Sequence, residues 1–131
     1  MTKGARLGRG LVLPLLAASM LAAAPALAHH GWSWAEGDQT TLKGVIQDVS
    51  MAPPHPVLKV KAANGVVWRV DLGNPGQTQR SGFTGASAKP GDAVTVLGNR
   101  SLDKSQAHMK AVRITLGDRN YDMYPERITA N

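Results

Sequence analysis

The sequence has four histidines and no cysteine, so histidine supplies its side-chain nitrogen donors for a transition metal. Two of them, His29 and His30, stand together directly after Ala28. If the mature chain began at His29, its α-amine and its imidazole would chelate one ion, and His30 would add a second imidazole. A free α-amine has an ordinary pKa of about 8, so a metal can displace its proton at neutral pH. Such nitrogen ligands suit Cu(II), which heads the divalent affinity order, and the pattern predicts copper or a similar transition metal.

A third histidine, His55, lies between two prolines, Pro54 and Pro56. Flanking prolines reduce the conformational entropy that is lost when a side chain is held in place. His55 would complete a site with the N-terminal pair if that segment folded back over this loop. The predicted metal ligands are therefore His29, His30 and His55. The alternative is that the N-terminal pair is solvated and that His55 belongs to a rigid surface turn.

The fourth histidine, His108, is followed by Met109 at the start of a predicted strand. Methionine is a soft ligand for Cu(I), but on a strand it more often fills the core. We therefore leave both residues out of the predicted ligand set. Three aspartates are interpreted as residues of strand edges and turns, namely Asp48, Asp71 and Asp92.

The N-terminus has the three parts of a secretory signal peptide. Basic residues without any acid precede an apolar run from Leu11 to Ala23, and small residues follow in Ala24-Pro25-Ala26-Leu27-Ala28. We expect cleavage before His29 and a periplasmic product without a membrane span, since a spanning helix needs about 20 apolar residues. Cleavage after Ala26 would instead make His29 the third residue, where an amine, two amides and an imidazole suit square-planar Cu(II) or Ni(II).

Removal of this leader would lower the formal net charge from +6 to +3, because it takes away Lys3, Arg6 and Arg9. Such a charge, with acids interspersed, is not the clustered basic face that nucleic-acid binding needs. The absence of cysteine excludes cysteine-based zinc and thiol chemistry. The sequence has neither G-x-S-x-G nor H-E-x-x-H, so we expect a binding protein rather than an enzyme.

β-branched residues, alternation and turn signals predict an all-β domain. The predicted strands run from Thr40 to Val49, Val57 to Ala62, Val66 to Leu72, Ala93 to Leu97, Ala107 to Leu116 and Arg119 to Met123. Asn64-Gly65 predicts a two-residue hairpin, and a helical turn is expected near Gln77 to Ser81. Gly44 indicates a bulge or bend, and Gly98 the end of the fourth strand. This order matches a five- to six-stranded OB-like barrel with one short helical connection, and a small sandwich is the alternative.

The predicted organisation is a signal peptide at 1–28, an N-terminal arm at 29–39, the barrel at 40–124 and a polar tail at 125–131. In an extended arm Trp32 and Trp34 share one face, where they would cap the barrel or stack on a ligand. Trp68 is expected in the core. The two arm tryptophans and the long loop from Gly73 to Ala88 support an alternative function, that of an accessory module which binds a ligand or a periplasmic protein.

Several motifs together resemble a known bacterial family. They are Ala28-His29-His30-Gly31-Trp32, Leu42-Lys43-Gly44-Val45-Ile46, Pro54-His55, and Lys89-Pro90-Gly91-Asp92 followed by Val94-Thr95-Val96. Over nearly the whole mature chain the sequence resembles domain-of-unknown-function family 6152. Relatives usually have Asn-Pro-His in the loop, where this sequence has Pro53-Pro54-His55. The resemblance implies an exported OB-like barrel, points to the same three histidines, and supplies no established activity.

Overall fold

The computed structural model describes Thr2, Gly4 and residues 31–129. This part of the chain contains six strands and two short helices. They are β1 (Ala35–Ser50), β2 (Val57–Ala62), β3 (Val67–Asp71), α1 (Pro75–Arg80), β4 (Ala93–Ser101), β5 (His108–Leu116), β6 (Arg119–Asp122) and a 3-10 helix (Pro125–Arg127). The rest of the predicted leader, together with His29 and His30, lies outside the described residues. Among the described residues, no helix has the length and apolar character needed to cross a membrane.

The strands form one sheet in the order β3-β2-β1-β4-β5-β6, which closes into a barrel where β3 also pairs with β5. β3 and β5 run parallel, whereas the other neighbours are antiparallel. A parallel pair needs a crossover connection, and the chain between these two strands holds α1 and β4. This is the strand order of an OB barrel, so the predicted all-β, OB-like fold with one short helical connection is confirmed.

The barrel interior is filled by residues that alternate inward along each strand. Leu58 and Val60 on β2 and Val70 on β3 are fully buried, as their alternation with charged residues predicts. Trp68, which was expected in the core, packs against it but remains half-buried. The Arg100 guanidinium lies over its ring, 4.8 Å from the centroid. Trp68 therefore stands at the border between the core and the barrel surface.

Two glycines lie where neighbouring strands approach too closely for a side chain. A Cβ on Gly98 would stand 2.2 Å from the Lys110 carbonyl oxygen, and one on Gly44 would stand 2.4 Å from that of Lys61. The prediction that Gly98 ends the fourth strand is wrong, because β4 continues through it. Gly44 lies within a continuous ladder, and the bulge of β1 against β2 follows Ile46. Both glycines thus permit close contact between neighbouring backbones within a strand.

β1 begins at Ala35, five residues before the start that the sequence predicts. This first part of β1 bulges against β4. There the Asn99 side-chain amide donates to three successive carbonyls, those of Glu36, Gly37 and Asp38, at 2.9, 3.2 and 3.3 Å. The segment is polar and shows no alternation, so its strand conformation depends on its partner strand rather than on a pattern of its own.

Candidate metal site

Four polar side chains meet on the outside of the barrel where β3 pairs with β5. The carboxylate of Asp71, at the end of β3, is only 6% exposed. Arg69 Nε donates to its Oδ1 at 2.8 Å, and His108 Nε2 lies 2.9 Å from its Oδ2. His55 Nε2 lies 3.8 Å from the same Oδ2. Two imidazoles and a guanidinium therefore converge on one buried carboxylate.

The register of the parallel pair explains this meeting. Val70 and Met109 are paired and buried in the core, as expected for a methionine on a strand. Because successive side chains alternate across a strand, the neighbours of this pair point outward. We call these neighbours the seam face: Arg69, Asp71, His108 and Lys110. Asp71 lies diagonally across from His108 on this face, within reach of its imidazole.

His55 reaches the seam face from the proline loop, residues 51–56, between β1 and β2. Leu72 N donates to the Pro56 carbonyl at 2.9 Å, which attaches the loop to the end of β3. The His55 side chain is 25% exposed, and its Nδ1 lies 3.4 Å from the Pro56 carbonyl oxygen. The His55 imidazole is thus partly buried and lies near Asp71.

Asp71 is ionised at neutral pH despite its burial. Burial alone would raise the pKa of its carboxyl group, but hydrogen bonds from Arg69 and His108, together with their charges, hold that pKa below its ordinary value. Since a carboxylate only accepts hydrogen bonds, His108 Nε2 must carry a proton to bond with it.

The indole of Trp34 lies flat against His108, with 4.0 Å between ring centroids and 11° between ring planes. Leu102 N donates to the Trp34 carbonyl at 2.9 Å, so the backbone here is also attached to the chain that follows β4. A cleft of about 360 Å³ borders the stacked pair and is lined by Trp34, Ser101, Leu102, Asp103, Gln106 and His108. The stack covers one face of the imidazole and restricts its orientation.

A second aromatic cover lies over Lys110, which is 6% exposed. Its Nζ is 5.5 Å from the ring centroid of Trp32 and 5.6 Å from that of Tyr124. These two rings meet edge to face at 4.9 Å, and the Arg127 guanidinium lies 3.9 Å from the Trp32 ring centroid. Burial lowers the pKa of Lys110; the charge of Asp71 opposes this shift, and that of Arg127 adds to it.

Trp32 and Trp34 lie in a turn rather than in the extended arm that the sequence predicts. Residues 31–34 form a turn, and Ala35 N donates to the Trp32 carbonyl at 3.0 Å. The turn places Trp32 against Lys110 and Trp34 against His108. Both rings therefore cover the seam face, in a conformation that differs from the extended one suggested by the sequence.

One of the three predicted ligands, His55, lies in the described part of the chain, and it is a neighbour of His108 around Asp71. His29 and His30 lie outside the described residues. Among the described residues, no three histidine, aspartate or glutamate side chains are grouped so that they could hold one metal ion. Asp71 was interpreted from the sequence as a strand-edge residue. The sequence signal for its place on the seam face was its alternation with the core residue Val70, which predicts an outward side chain.

The sequence model of one protein family matches residues 17–110, which is more than half of the chain. The matched region runs from the predicted leader through the proline loop to the end of the seam face. No curated protein matches the chain. The motifs, the barrel and this match agree, and the chain belongs to the family of unknown function DUF6152.

Proposed function

We propose that this protein is exported to the periplasm and binds a transition metal there, preferably Cu(II), without acting as an enzyme. Cleavage before His29 would expose an α-amine, and the site would combine that amine with His29, His30 and His55. The observation that supports this most directly is the position of His55 beside Asp71, on the face that also receives residues 31–34. Residues 31–34 directly follow His29 and His30 in the sequence, so the predicted N-terminal ligands are joined to a segment that packs on the same face as His55.

The length of the N-terminal segment is sufficient to bring its histidines to this face. Trp34 stacks on His108, which shares the Asp71 carboxylate with His55. Four residue steps separate Trp34 from His30, and an extended chain spans at most about 3.6 Å per residue. The backbone of His30 can therefore be no more than about 14 Å from that of Trp34.

The surroundings of His55 suit a metal ligand. A proton on Nδ1 would face the Pro56 carbonyl, 3.4 Å away, and would leave the lone pair on Nε2, the atom nearer to Asp71. An imidazole whose other nitrogen is oriented by a carbonyl or carboxylate is the usual arrangement at a metal centre. The negative charge of Asp71, 3.8 Å from Nε2, would offset part of the charge of a bound cation.

The proposed donors favour a transition metal over Mg(II) or Ca(II). The latter are hard cations that prefer a shell of oxygen ligands. Imidazoles and an amine instead suit Cu(II), Ni(II) and Zn(II), and Cu(II) binds most tightly in this series. We therefore expect Cu(II) binding that excess Mg(II) does not displace.

Titration of Cu(II) into the mature protein tests the proposal, after mass spectrometry has established that the chain begins at His29. A matched protein with Gly-Pro added before His29 keeps every side chain but moves the amine away, and proline has no amide proton for a metal to displace. We expect this extension to weaken Cu(II) binding at least about tenfold, and His55→Ala to weaken it by a similar factor. Gln47→Ala, on the exposed side of β1, is the control and should change nothing.

Two outcomes would contradict this proposal. Equal affinity of the extended and the mature protein would remove the amine from the site. A mature wild-type protein that binds no Cu(II) would overturn the metal-binding function altogether.

The cleft beside Trp34 and His108 favours a second candidate function, an accessory module that binds a small ligand or a periplasmic protein. Concave sites lined by aromatic rings and a few polar groups are typical of ligand binding. A pull-down from periplasmic extract, with Trp34→Ala as the matched bait, tests this function. A partner that is retained by the wild-type protein and lost with Trp34→Ala would support it. A metal-loaded protein that retains no partner would count against it.

A further inference from the structure

We propose that the outer surface of β1, β2 and β3 binds peripherally to an anionic phospholipid membrane. The surface consists of Lys43 and Val45 on β1, Lys59 and Lys61 on β2, and Val67 on β3, and we call it the lysine–valine surface. All five residues are exposed. This inference goes beyond the proposed function and requires no metal ion.

The pairing of the strands brings these residues together. Lys61 is paired with Val45 on one side and with Val67 on the other, so one row across three strands reads valine, lysine, valine. Val45 is 41% exposed and Val67 is 48% exposed. Lys43 and Lys59 each stand two residues from a member of this row, so they point to the same side of the sheet, about 7 Å along their strands. Cations and exposed apolar side chains therefore share one continuous surface.

The three lysines of this surface are not neutralised by the fold. Within residues 31–129, none of them forms an ion pair. Most other lysines and arginines in this part of the chain lie against a carboxylate or an aromatic ring, as Lys104 lies against Glu36 and Arg119 against Tyr121. The acid opposite Lys59 in the strand register is Asp48, which offsets one of the three charges. A positive charge thus remains for a partner outside the chain.

This combination of side chains fits the headgroup region of a bilayer. Each lysine ammonium group close to an anionic membrane raises the affinity about fivefold. The aliphatic part of a lysine can lie along apolar groups while its ammonium group stays in water. The two valines would enter the boundary between headgroups and acyl chains, where the burial of apolar surface adds to binding.

A nucleic acid or an acidic protein fits the same surface less well. Proteins that bind single strands stack the bases on aromatic rings, and none of the five residues is aromatic. The ring of the neighbouring Trp68 packs against the core instead. Protein interfaces depend on buried aromatic or arginine anchors, whereas the adjacent Arg69 is held by Asp71 at 2.8 Å. A bilayer needs no such anchor, so it is the partner that the surface favours.

Co-sedimentation of the metal-free mature protein with lipid vesicles tests the proposal. Vesicles of equal parts phosphatidylglycerol and phosphatidylcholine are compared with vesicles of phosphatidylcholine alone. A chelator is present, and the salt is about 0.1 M, where the Debye length is about 10 Å. We expect the protein to sediment with the anionic vesicles and not with the neutral ones. Salt at about 1 M should weaken this binding, because it screens exposed charges.

A triple variant tests whether the three lysines carry the binding. Lys43→Gln/Lys59→Gln/Lys61→Gln removes the charges but keeps long polar side chains on the sheet. We expect its affinity for the anionic vesicles to fall about 100-fold, from about fivefold for each lysine. Urea unfolding should show nearly the same midpoint as for the wild type, since these exposed side chains form no ion pair within residues 31–129.

The matched control removes the same number of charges from other parts of the chain. Arg80→Gln/Lys104→Gln/Arg119→Gln changes α1, the connection between β4 and β5, and β6. Its affinity should fall by less than about fivefold, the effect of one cation at the membrane. Equal losses in the two triple variants would mean that the vesicles respond to net charge alone, and the lysine–valine surface would not be the docking site.

A fluorescent label on the surface tests contact with the membrane without weakening the charge. The protein has no cysteine, so Val67→Cys accepts a single thiol-reactive nitrobenzoxadiazole label, whose emission shifts to the blue in apolar surroundings. We expect a blue shift when anionic vesicles are added. Ala86→Cys, which is exposed in the loop after α1, is the control, and its emission should stay as in buffer.

The remaining outcomes each decide against the proposal. A wild-type protein that binds no anionic vesicles, or a blue shift at Ala86→Cys and not at Val67→Cys, would overturn it. A protein that binds a single-stranded oligonucleotide through the three lysines, and no vesicles, would assign the surface to nucleic acid. Because every measurement is made with a chelator, the absence of Cu(II) binding would overturn the proposed function and leave this inference standing.

Discussion

Two outward faces of the barrel carry similar patterns of side chains but have opposite surroundings. On β1 and β2, Lys43, Lys59 and Lys61 alternate with inward residues and are exposed; we call these three the open face. On the seam face, Asp71 and Lys110 also alternate with core residues but are buried. The difference is what lies outside the strands. The turn at 31–34, the proline loop and the C-terminal 3-10 helix pack over the seam face.

The comparison teaches that a polar face can be buried without joining the core. Burial of a charge is unfavourable unless the charge is paired and hydrogen-bonded. Asp71 meets this condition through Arg69 and His108, and the Lys110 ammonium lies 5.5 and 5.6 Å from the ring centroids of Trp32 and Tyr124. Covered, paired ionisable groups are the kind that functional sites collect. Asp71 and His108 have this character, and the exposed lysines of the open face do not.

The largest expected effect comes from removal of the aromatic cover. Trp32→Ala should lower the free energy of unfolding by about 2–3 kcal/mol, less than for a fully buried tryptophan, because Trp32 is half-buried. The control is Val67→Ala, since Val67 is 48% exposed on β3, and its effect should stay within about 0.5 kcal/mol. Urea unfolding at pH 7 measures both. If both variants lost the same free energy of unfolding, the seam face would gain no stability from its cover. The contrast between the seam face and the open face would then be wrong.

The next effect concerns the carboxylate at the centre of the seam face. Asp71→Asn in the metal-free protein should lower the free energy of unfolding by about 2 kcal/mol, because hydrogen bonds to a charged group contribute more than neutral ones. Asp48→Asn is the matched control, since Asp48 is exposed on β1. Its effect should be within about 0.5 kcal/mol. Urea midpoints of the two variants and the wild type decide the matter, and a loss no larger for Asp71 than for Asp48 would contradict it.

The sequence predicts the strands well where alternation is local. β2 runs from Val57 to Ala62, with the predicted bounds, because its three inward residues are apolar and alternate with two outward lysines. The prediction at Gly98 is wrong because a glycine suggests the end of a strand when the partner strand is unknown. Its function, to let the Lys110 carbonyl approach, depends on a pairing between β4 and β5 that no local pattern reveals.

The candidate site could be predicted only in part, for a similar reason. His55 is predicted from its own chemistry and its flanking prolines, and it lies beside Asp71. The approach of His108 to Asp71 depends on the register of the parallel pair, which exists only once the barrel has closed. The turn that carries Trp32 over Lys110 also needs Tyr124, from the far end of the chain. Periodicity in one segment cannot report such contacts.

The smallest effect concerns Asp92, a carboxylate whose surroundings are the opposite of those of Asp71. It lies in the turn before β4, where Lys89 Nζ and Lys89 N donate to its two oxygens at 2.8 and 2.9 Å. These hydrogen bonds hold the pKa of Asp92 below its ordinary value of 3.8. A folded-state pKa below the unfolded one means that the interaction stabilises the fold above pH 3.8 and is lost as the pH falls through the folded-state pKa.

Asp92→Asn should therefore lower the urea midpoint slightly at pH 7, and the difference from the wild type should disappear as the pH falls below the folded-state pKa, because the wild-type carboxyl group is then also protonated. Salt at about 1 M should reduce the difference at pH 7, because exposed charges are strongly screened. The same salt should leave most of the Asp71→Asn difference in place, since covered pairs are screened much less. If salt reduced both differences alike, Asp71 would be as open to solvent as Asp92, and the contrast between the seam face and this turn would not hold.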